Sequence, residues 1–393
     1  MANILGINLS ELNLSDLLER LDFFLNSDSG HFLVTPNPEI LLMAGRDEEY
    51  FHILNSADVA IADGFGLILA GLLQGKKIPR ITGSDLTPKL LAEAEKKQIK
   101  TVIINWNGGL SLESDISQTL KSRWPKLIFE VIDTEKKINL SETENLRINN
   151  FAPKLIFVTL GAPFQEKLIW HEIKNWPSAR LALAVGGSFD FLTGKIKRAP
   201  QLMRTLGIEW LWRLLSQPTK RFNRIWRATA VFGFKIFKIA FIKPFFYRSN
   251  VAIMLYKKTP DSVKILIVAR SEDPTHWQIP QGGTDNESLA VAGARELREE
   301  LGTDKFVFKK TFKNIHAYRF SKRSSNIRYS GYKGQKQGLF IAEYTGDDND
   351  IKLNYWDHVE WKWIDINEIV EAIHPHRQEA MKKFIPKFLD TIK

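Results

Sequence analysis

Cysteine is absent from the 393 residues of the chain, so disulfide bonds and thiolate metal sites are both excluded. This absence fits a reducing cytoplasm. Internal repeats and low-complexity tracts are also missing, which argues against repeat architectures. Residues 1–21 lack a basic start followed by an apolar run, and we therefore expect no signal peptide. No Gly-x-Gly-x-x-Gly fingerprint occurs, so a dinucleotide redox cofactor is not expected.

The overall composition is typical of a soluble globular protein, with 44% apolar and 25% charged residues. The chain is too long for one ordinary core, and two domains are expected. The net charge of +10 is concentrated between Arg204 and Arg248, where ten basic residues accompany the single acid Glu209. This segment therefore supplies nearly all of the excess positive charge.

Residues 1 to about 200 alternate short apolar runs with helical patterns. Such alternation predicts a Rossmann-like, doubly wound α/β sheet of mostly parallel strands. The apolar runs are 32–34, 59–62, 102–104, 155–158 and 181–185. Each ends in a polar or glycine-bearing loop, and these loops are expected at the carboxyl edge of the sheet, where open α/β folds bind ligands. Glycine loops alone are a weak signal, because every α/β protein needs tight turns.

A series of short motifs in these loops carries more information than any one loop. In chain order they are TPNPE (35–39), ADGFG (62–66), RITGSDL (80–86), GAPFQE (161–166), GGSFD (186–190), KRAP (197–200) and EWLWRL (209–214). Together they resemble the WecG/TagA/CpsF glycosyltransferase family over roughly residues 1–227. The resemblance implies transfer of an N-acetylmannosamine-type sugar from a UDP donor to a polyprenyl-diphosphate-linked sugar, with inversion and without a metal cofactor.

Inverting transfer needs a carboxylate that takes the proton of the acceptor hydroxyl, and positive groups that stabilise the departing UDP. Asp63 stands at a strand end between small residues and is the best-placed base, a role that the resemblance also implies. The alternative for an isolated Asp-Gly is an Asx turn or a helix cap.

The remaining substrate contacts are expected in the same loops. Arg80 and Arg198 are assigned to donor or acceptor phosphate, although a surface ion pair is the alternative for Arg80. Gln165 and Glu166 could hold uracil or ribose, although helix capping explains Glu166 nearly as well. Thr35 and Asn37 are predicted substrate contacts, with turn residues as the alternative.

After Arg198 the chain becomes basic and aromatic as far as Arg248. Lysines interrupt the apolar run 228–247, so a membrane-spanning helix is not expected. The pattern favours a helix in the headgroup region of a membrane, with Arg224, Arg227, Lys235 and Lys238 near one stripe and Phe232, Phe237, Ile239 and Phe241 covering much of the rest. A helix packed between domains and a nucleic-acid patch remain alternatives.

A second set of motifs lies in residues 277–303. The pattern predicts a helix from about Ser288, with Asn286 as a possible N-cap and Gly302 as its end. Ala290, Ala294, Leu297 and Leu301 form its apolar stripe. Beside the stripe, Glu296, Glu299 and Glu300 crowd three carboxylates together, which favours a hard divalent cation that neutralises them.

The order Glu287, Arg295-Glu296-Leu297, Glu299-Glu300 and Gly302 resembles the Nudix box of the Nudix hydrolases. The flanking WQIPQGG (277–283) and GQKQ (334–337) are similar to the RNA pyrophosphohydrolase and dinucleoside-polyphosphate branch. Only four residues separate Gly282 from Glu287, one fewer than in the family, which leaves the loop geometry open.

The resemblance implies an α/β/α Nudix fold that uses Mg²⁺, or Mn²⁺ as the alternative. Strands are expected at 250–256, 264–269, 309–318, 338–344 and 359–364, and a closing helix from about Pro375. The metal ligands are expected to be Glu296, Glu299, Glu300 and Asp357, with Glu360 competing for the last position. Glu299 and Glu300 are also the candidate catalytic residues. Arg248 and Lys336 are expected to contact phosphates, with solvated surface charge as the alternative.

The sequence thus predicts a bifunctional enzyme divided into a glycosyltransferase domain (1–200), a basic aromatic membrane-associating linker (201–246) and a Nudix hydrolase domain (247–393). Its expected partners are a UDP-sugar, a polyprenyl-diphosphate-linked sugar, a nucleoside-diphosphate substrate and the inner face of the cytoplasmic membrane. One alternative is a single-activity Nudix enzyme with a binding-only N-terminal half. Another is a basic RNA-binding adaptor. The sequence does not define the oligomeric state.

Overall fold

A computed structural model describes residues 1–205, 211–212, 226–320 and 331–393, and these divide into two compact units, Met1–Phe237 and Lys238–Lys393. Both units combine helices with a central sheet, as the sequence predicts. Part of the basic segment, at 206–210 and 213–225, lies outside the described residues and includes Arg213, Lys220, Arg221 and Arg224.

The first unit is built on a parallel six-stranded sheet with strand order β4-β3-β8-β7-β5-β6, preceded by a small β1-β2 hairpin. Its strands are β1 (Ala2–Ile4), β2 (Ile7–Leu9), β3 (His31–Val34), β4 (Val59–Ala60), β5 (Thr101–Trp106), β6 (Phe129–Thr134), β7 (Leu155–Val158) and β8 (Leu181–Ala184). Its helices are α1 (Leu14–Leu25), α2 (Pro38–Ala44), α3 (Glu48–Ser56), α4 (Phe65–Leu73), α5 (Gly83–Lys96), α6 (Glu113–Arg123), α7 (Glu142–Phe151), α8 (Phe164–Glu172), α9 (Ser188–Leu192), α10 (Gln201–Thr205) and α11 (Phe232–Phe237).

Apolar side chains cover both faces of this sheet, as a parallel sheet requires. Successive residues of β3 show the arrangement, because Leu33 belongs to one hydrophobic cluster and Val34 to the other. The runs predicted from sequence correspond to β3, β4, β5, β7 and β8. Strand β6 was not predicted, since FEVIDT alternates apolar with charged residues in place of a continuous apolar run.

The second unit contains a mixed seven-stranded sheet in the order β11-β10-β9-β14-β13, with β12 paired to β9 and β15 to β10. Its strands are β9 (Tyr247–Lys258), β10 (Val263–Arg270), β11 (Trp277–Gln278), β12 (Gln281–Gly283), β13 (Phe306–Arg319), β14 (Gly334–Tyr344) and β15 (His358–Asp365). Its α-helices are α12 (Leu289–Leu301), α13 (Ile369–Ala372) and α14 (Pro375–Ile392). Helix α12 packs on one face of the sheet and α14 on the other, which gives the expected α/β/α layers.

Helix α12 differs in two details from its sequence prediction. Its N-cap is Ser288, whose hydroxyl accepts the Val291 amide at 3.3 Å, so the assignment of Asn286 was wrong. Asn286 has a φ of 71° and belongs to the preceding turn. The helix ends at Gly302 as predicted, in the left-handed conformation with a φ of 63°.

The buried face of α12 is also rotated from the predicted stripe. Leu297 and Leu301 are buried, but Ala290 and Ala294 are only half-buried. The buried positions are Ala292, Gly293, Glu296, Leu297, Glu300 and Leu301. Two of the three crowded glutamates therefore lie within the packed face of the helix and not beside it.

The aromatic segment after Trp226 consists of four short helical pieces of changing type, namely Arg227–Val231, Phe232–Phe237, Lys238–Ile242 and Lys243–Phe245. The prediction that Phe232 forms part of a membrane-facing stripe was wrong, because Phe232 and Ile236 are buried in the core of the first unit. Phe237 and Phe241 are exposed. In the described part of the chain, no helix combines the length and hydrophobicity that crossing a membrane would require.

Candidate functional sites

Asp63 lies at the carboxyl edge of the first sheet, three residues beyond Ala60, where β4 ends. Its backbone amide donates to the Pro36 carbonyl at 2.8 Å, and its Oδ2 accepts the Gly83 amide at 3.4 Å. Gly83 is the first residue of α5, so the carboxylate faces the positive end of that helix. Asp63 is half-buried, which leaves it accessible to a substrate.

Thr35 and Asn37 follow the neighbouring strand β3 at the same edge. The Thr35 hydroxyl donates to the Ala184 carbonyl at 3.0 Å and joins the ends of β3 and β8. The Asn37 side chain caps α2 by accepting the Ile40 amide at 3.1 Å. Both residues thus have structural partners, which agrees with the structural role in a turn that the sequence left open as the alternative.

Gly83 and Ser188 complete this cluster, although the sequence motifs assigned them no role. A Cβ on Gly83 would stand 3.3 Å from the Ser188 hydroxyl and 3.5 Å from the Thr35 side chain. Gly83 therefore brings the Asp63 loop, the Thr35 loop and the start of α9 into contact. The Thr82-Gly83-Ser84-Asp85 sequence, a helix cap with a small residue at the first position, is the signal that could have identified it.

The two arginines assigned from sequence lie near this cluster. Arg80 forms an isolated parallel bridge with Ala62, so its backbone lies beside the residue that precedes Asp63. Arg198 donates from Nη1 to the Asp85 carboxylate at 2.7 Å, and Asp85 also accepts the Thr82 hydroxyl at 2.7 Å. Arg198 is thereby anchored to the first turn of α5.

Gln165 connects two glycine loops of the same edge. Its Oε1 accepts the amides of Gly161 at 3.2 Å and Gly186 at 2.9 Å, and its Nε2 donates to Glu166 at 2.8 Å. Glu166 is fully buried, and burial raises the pKa of its carboxyl despite the hydrogen bond from Gln165. The nearby Tyr50 hydroxyl is also buried, and burial together with Glu166 raises its pKa. Glu166 lies in the first turn of α8, whose N-cap Pro163 makes no side-chain capping bond, and the capping alternative for Glu166 stays a prediction.

Glu166 makes the stability of the first unit depend on pH. Because its pKa lies above the usual 4.5 in the folded state, the folded protein keeps the proton while the unfolded chain releases it. The contribution of this group is therefore complete below the usual pKa and is lost as pH rises toward the folded-state pKa. We expect Glu166→Gln to become progressively more stable than the parent chain between pH 4 and pH 8 in urea unfolding. A stability difference that is the same at both pH values would contradict this assignment.

In the second unit, Arg295 forms ion pairs with three acidic side chains of the Nudix-like motif. Its guanidinium donates to Glu287 at 3.0 Å, Glu296 at 2.8 Å and Glu299 at 2.7 Å, and to the Gly283 carbonyl at 2.7 Å. Burial alone lowers the pKa of Arg295, but the three carboxylates outweigh this effect and raise that pKa. The arginine therefore neutralises part of the charge for which the sequence suggested a metal ion.

The shortened loop before Glu287 closes as a tight turn. Asp285 and Asn286 both have positive φ, at 43° and 71°, and the Glu287 amide donates to the Thr284 carbonyl at 2.6 Å. Such a turn needs fewer residues than an open loop. Glu287 consequently still reaches Arg295, so the missing residue leaves this ion pair intact.

Gly282 provides the space that the Glu296 carboxylate occupies. A Cβ at this position would overlap the carboxyl group, which is held on its other side by Arg295. We expect Gly282→Ala to lower the free energy of unfolding of the second unit by about 2–3 kcal/mol through overpacking. Gly283→Ala is the matched control, because its Cβ would meet the flexible end of Arg248 and, at 3.4 Å, a carboxylate oxygen of Asp285. Calorimetry of both variants should show the larger loss for Gly282, and equal losses would contradict this packing argument.

The donor chemistry of α12 fits a divalent cation. Glu296 and Glu300 are both only 5% exposed and stand four residues apart, and carboxylate oxygens are the ligands that Mg²⁺ prefers. As the side chains stand, however, no three Asp, Glu or His residues of the described ranges converge closely enough to hold an ion. The metal-ligand assignment stays a prediction.

The loop that carries Asp357 is fixed to the last turn of α12. Asn354 donates from Nδ2 to the Glu299 carbonyl at 2.8 Å and accepts the Asp357 amide at 3.2 Å. This pair of bonds brings the backbone of Asp357 to the acidic end of the helix. Glu360, the competing carboxylate, is exposed on β15.

The pleat of the sheet places Lys336 and Arg248 on opposite faces. Gln335 pairs with Arg248 in a continuous parallel register, and adjacent residues of a strand point to opposite sides. Lys336 lies on the same face as Gly338, two residues further along the strand. Gly338 packs against Leu289 of α12, so this is the α12 face of the sheet. Arg248 lies on the α14 face but extends to the edge, where its guanidinium approaches Gly283.

A small pocket between this sheet and α14 is lined by Gln278, Gln281, Gln337 and Arg377 together with apolar side chains. Within the described residues, Gln335 Nε2, Gln337 Oε1 and Arg377 Nε are buried without a hydrogen-bond partner. Buried polar atoms without partners are rare in folded proteins, but the free volume here is only about 10 Å³, enough for roughly one water molecule. Gln337 belongs to the GQKQ motif.

Two family models match the chain. The model described as Glycosyl transferase WecG/TagA/CpsF family matches residues 2–244, and the one described as NUDIX domain matches residues 246–388. These matches adjoin near the boundary between the two structural units.

Curated relatives match each part separately. The first part is similar to the N-acetylglucosaminyldiphosphoundecaprenol N-acetyl-beta-D-mannosaminyltransferases of Staphylococcus aureus strain MRSA252 (33% identity over 245 residues, 60% of this chain and 92% of the relative) and Bacillus subtilis strain 168 (31% over 218 residues, 55% and 82%). The second part is similar to the RNA pyrophosphohydrolase of Wolbachia pipientis (38% over 152 residues, 37% and 92%). A C. elegans Ap4A hydrolase structure aligns with 35% of this chain and 94% of its own, at 19% identity and a TM-score of 0.27.

Proposed function

Since the chain belongs to the WecG/TagA/CpsF glycosyltransferase family over residues 2–244 and carries a NUDIX domain after it, we propose that it is a bifunctional enzyme. One activity moves an N-acetylmannosamine-type sugar from a UDP donor to a polyprenyl-diphosphate-linked acceptor, with inversion. The other is Mg²⁺-dependent hydrolysis of a nucleoside-diphosphate-linked substrate. The activities named for the transferase and pyrophosphohydrolase relatives support these two assignments.

The position of Asp63 carries the transferase proposal. Its carboxylate takes the proton of the acceptor hydroxyl while that oxygen attacks the anomeric carbon of the donor sugar. The bond from this carbon to the β-phosphate oxygen breaks, and UDP leaves with inversion of the anomeric centre. The Gly83 amide, 3.4 Å from Oδ2, orients the carboxylate.

The other residues at this edge bind the substrates. Arg80 and Arg198 stabilise phosphate charge, and the bond from Arg198 to Asp85 holds its guanidinium at the start of α5. Gln165 holds the glycine loops that receive the nucleotide, and Glu166 accepts a hydrogen bond from the Gln165 amide. Thr35 and Asn37 shape the loop beside Asp63 and contact the substrate. The Thr35 hydroxyl oxygen can still accept a hydrogen bond, and the Asn37 side-chain amide can still donate one.

The ion pairs from Arg295 to Glu287, Glu296 and Glu299 carry the hydrolase proposal. Glu296, Glu299, Glu300 and Asp357 are the residues that would hold Mg²⁺, or Mn²⁺ in its place. When bound, the ion neutralises the diphosphate and activates a water. Arg295 keeps Glu296 and Glu299 oriented, and Glu299 or Glu300 accepts the proton of the attacking water. Lys336 on the α12 face and Arg248 near Gly283 bind phosphate oxygens.

The fusion would pair sugar transfer with hydrolysis of a nucleotide by-product or a competing nucleotide-sugar. Assaying the full chain without acceptor against UDP-sugars, dinucleoside polyphosphates and RNA with 5′-phosphorylated ends tests this pairing. Activity confined to RNA ends would remove it and leave the hydrolase assignment in place.

Two alternatives remain distinguishable by experiment. A single-activity Nudix enzyme with a binding-only first half predicts no disaccharide-lipid product from UDP-N-acetylmannosamine. A basic RNA-binding adaptor predicts salt-sensitive RNA affinity carried by residues 204–248, whereas the proposed enzyme binds anionic vesicles. We place the enzyme in the cytoplasm, peripherally on the cytoplasmic membrane, with the division 1–200, 201–246 and 247–393 as its functional parts.

A further inference from the structure

Helix α4 (Phe65–Leu73) is apolar at every one of its nine positions, FGLILAGLL, and yet a large part of it faces outward. Phe65 is 45% exposed, Leu69 51%, Leu72 56% and Leu73 53%. A helix at the surface of a globular protein normally carries polar residues on its outer face. The composition of α4 therefore does not match ordinary solvent exposure.

The exposed side chains of α4 form one continuous face. They recur at intervals of four, three and one residues, which places them along one side of an α-helix. Leu67, Ala70 and Gly71 occupy the opposite side and are buried in the unit. Single exposed leucines are common on proteins, but a contiguous apolar face marks an interaction site.

The short helix α11 (Phe232–Phe237) extends this apolar face. Phe232 is buried, with its ring carbons 3.6 Å from where a Cβ on Gly66 would stand, so α11 packs directly on α4. Phe234 is 64% exposed and Phe237 51%. The two helices consequently present a combined surface of leucine and phenylalanine, which we call the apolar platform.

Basic residues lie next to the helices of the apolar platform. Lys76 and Lys77 follow α4 and are exposed, and Lys76 also pairs with Glu11 at 3.7 Å. Arg46 is exposed after α2, and the amine of Lys235 lies beside the neighbouring Gly45. An apolar face with a cationic rim is complementary to a bilayer that carries anionic headgroups.

We propose that the apolar platform is the surface through which the transferase half inserts into an anionic membrane. Nine helical residues span only about 14 Å, which is too short to cross a bilayer, so α4 lies in the plane of the headgroups. The platform begins two residues after Asp63, so insertion brings the catalytic base to the depth of a lipid-linked diphosphate. This inference deepens the proposed sugar transfer and rests on it for the choice of acceptor.

Vesicle sedimentation of the full chain tests the proposal. The probe is phosphatidylcholine vesicles with and without phosphatidylglycerol. Leu69→Glu or Leu72→Glu should lower partitioning onto the anionic vesicles by roughly tenfold or more, because each variant removes a leucine from hydrocarbon and adds a repelled charge. Leu146→Glu is the matched control, at 53% exposure on α7, and should change partitioning by less than about twofold. Leu69→Gln, which adds no charge, should show an intermediate loss.

Activity on two acceptors separates this inference from the proposed function. In Leu69→Glu, transfer to a long-chain acceptor in vesicles should fall roughly tenfold further than transfer to a short-chain, water-soluble acceptor. Vesicle binding that is unchanged in both glutamate variants would overturn the inference. So would a parent dimer that binds no vesicles and dissociates in Leu69→Glu, since a second copy would then cover the platform. If the parent transfers sugar to neither acceptor but loses vesicle binding in Leu69→Glu, the transferase proposal fails while the membrane surface stands.

Discussion

Replacing Asp63 with asparagine is expected to reduce the rate of sugar transfer by about a thousandfold. General-base catalysis contributes roughly two to four orders of magnitude, and an amide cannot take the proton of the acceptor hydroxyl. Asparagine keeps the shape of the side chain and can still accept the Gly83 amide, so the loop should keep its conformation. The loss should appear in kcat, measured as formation of disaccharide-lipid, with an unchanged thermal transition.

Asp58→Asn is the matched control for this substitution. Asp58 precedes the same strand β4 but lies at its amino end, where it accepts the Phe32 amide at 3.0 Å and contacts His31 at 2.9 Å. Its replacement should affect stability while leaving kcat within about threefold of the parent value. If Asp63→Asn retains at least a tenth of the parent rate, Asp63 is not the base.

The second large effect is expected in the hydrolase half, from Glu300→Gln. Glu300 is buried at 5% exposure on the inner face of α12, one turn beyond Glu296. Glutamine keeps the volume of the side chain but removes the charge that a divalent cation and a proton acceptor both need. Hydrolysis should fall by about two to three orders of magnitude, and magnesium uptake measured by calorimetry should weaken in parallel.

The control for this variant is Glu360→Gln on β15. Glu360 is exposed on β15, so its replacement also removes one negative charge from the second unit, but at a surface position. Its hydrolysis rate should stay close to that of the parent. Sugar transfer by Glu300→Gln serves as an internal check of folding. Parent-like hydrolysis in Glu300→Gln would remove this residue from the catalytic site.

Much of the fold could be predicted from the sequence because its periodic patterns are strong. Both family resemblances are confirmed by the family models, and the α/β class of each half is confirmed as well. The prediction failed where local patterns were ambiguous. Strand β6 mixes charged and apolar residues, so it lacks a continuous apolar run. Both Asn286 and Ser288 are suitable N-cap residues for α12, and the choice between them depends on a turn with two positive φ angles.

The candidate sites could be predicted less completely, because they depend on contacts between distant segments. The sequence indicated that Asp63 ends a strand, but not that the Gly83 amide faces it from twenty residues away. The sequence indicated that Arg295 and Glu299 belong to one motif. It did not indicate that Arg295 also bonds to Glu287 and to the Gly283 carbonyl. The opposite faces of Arg248 and Lys336 follow from strand register, which the isolated motif does not contain.

The exposure of one face of α4 could not be predicted from the sequence pattern. A continuous apolar run such as FGLILAGLL predicts a buried helix, and only the structure reveals that Phe65, Leu69 and Leu72 remain at the surface. From the sequence alone, the prediction of membrane association rested on the basic aromatic segment. In the structure, part of that segment packs on α4 through Phe232, so the two together form the apolar platform.

The central claim is that one chain carries a sugar transferase and a separate metal-dependent hydrolase. It is tested most directly by supplying the purified chain with UDP-N-acetylmannosamine and a lipid-diphosphate N-acetylglucosamine acceptor, in Mg²⁺ and again with excess chelator, while measuring disaccharide-lipid and nucleotide hydrolysis together. The account predicts that disaccharide-lipid forms in both conditions and that hydrolysis occurs only with Mg²⁺. Absence of disaccharide-lipid in both conditions, or hydrolysis that persists in chelator, would contradict it.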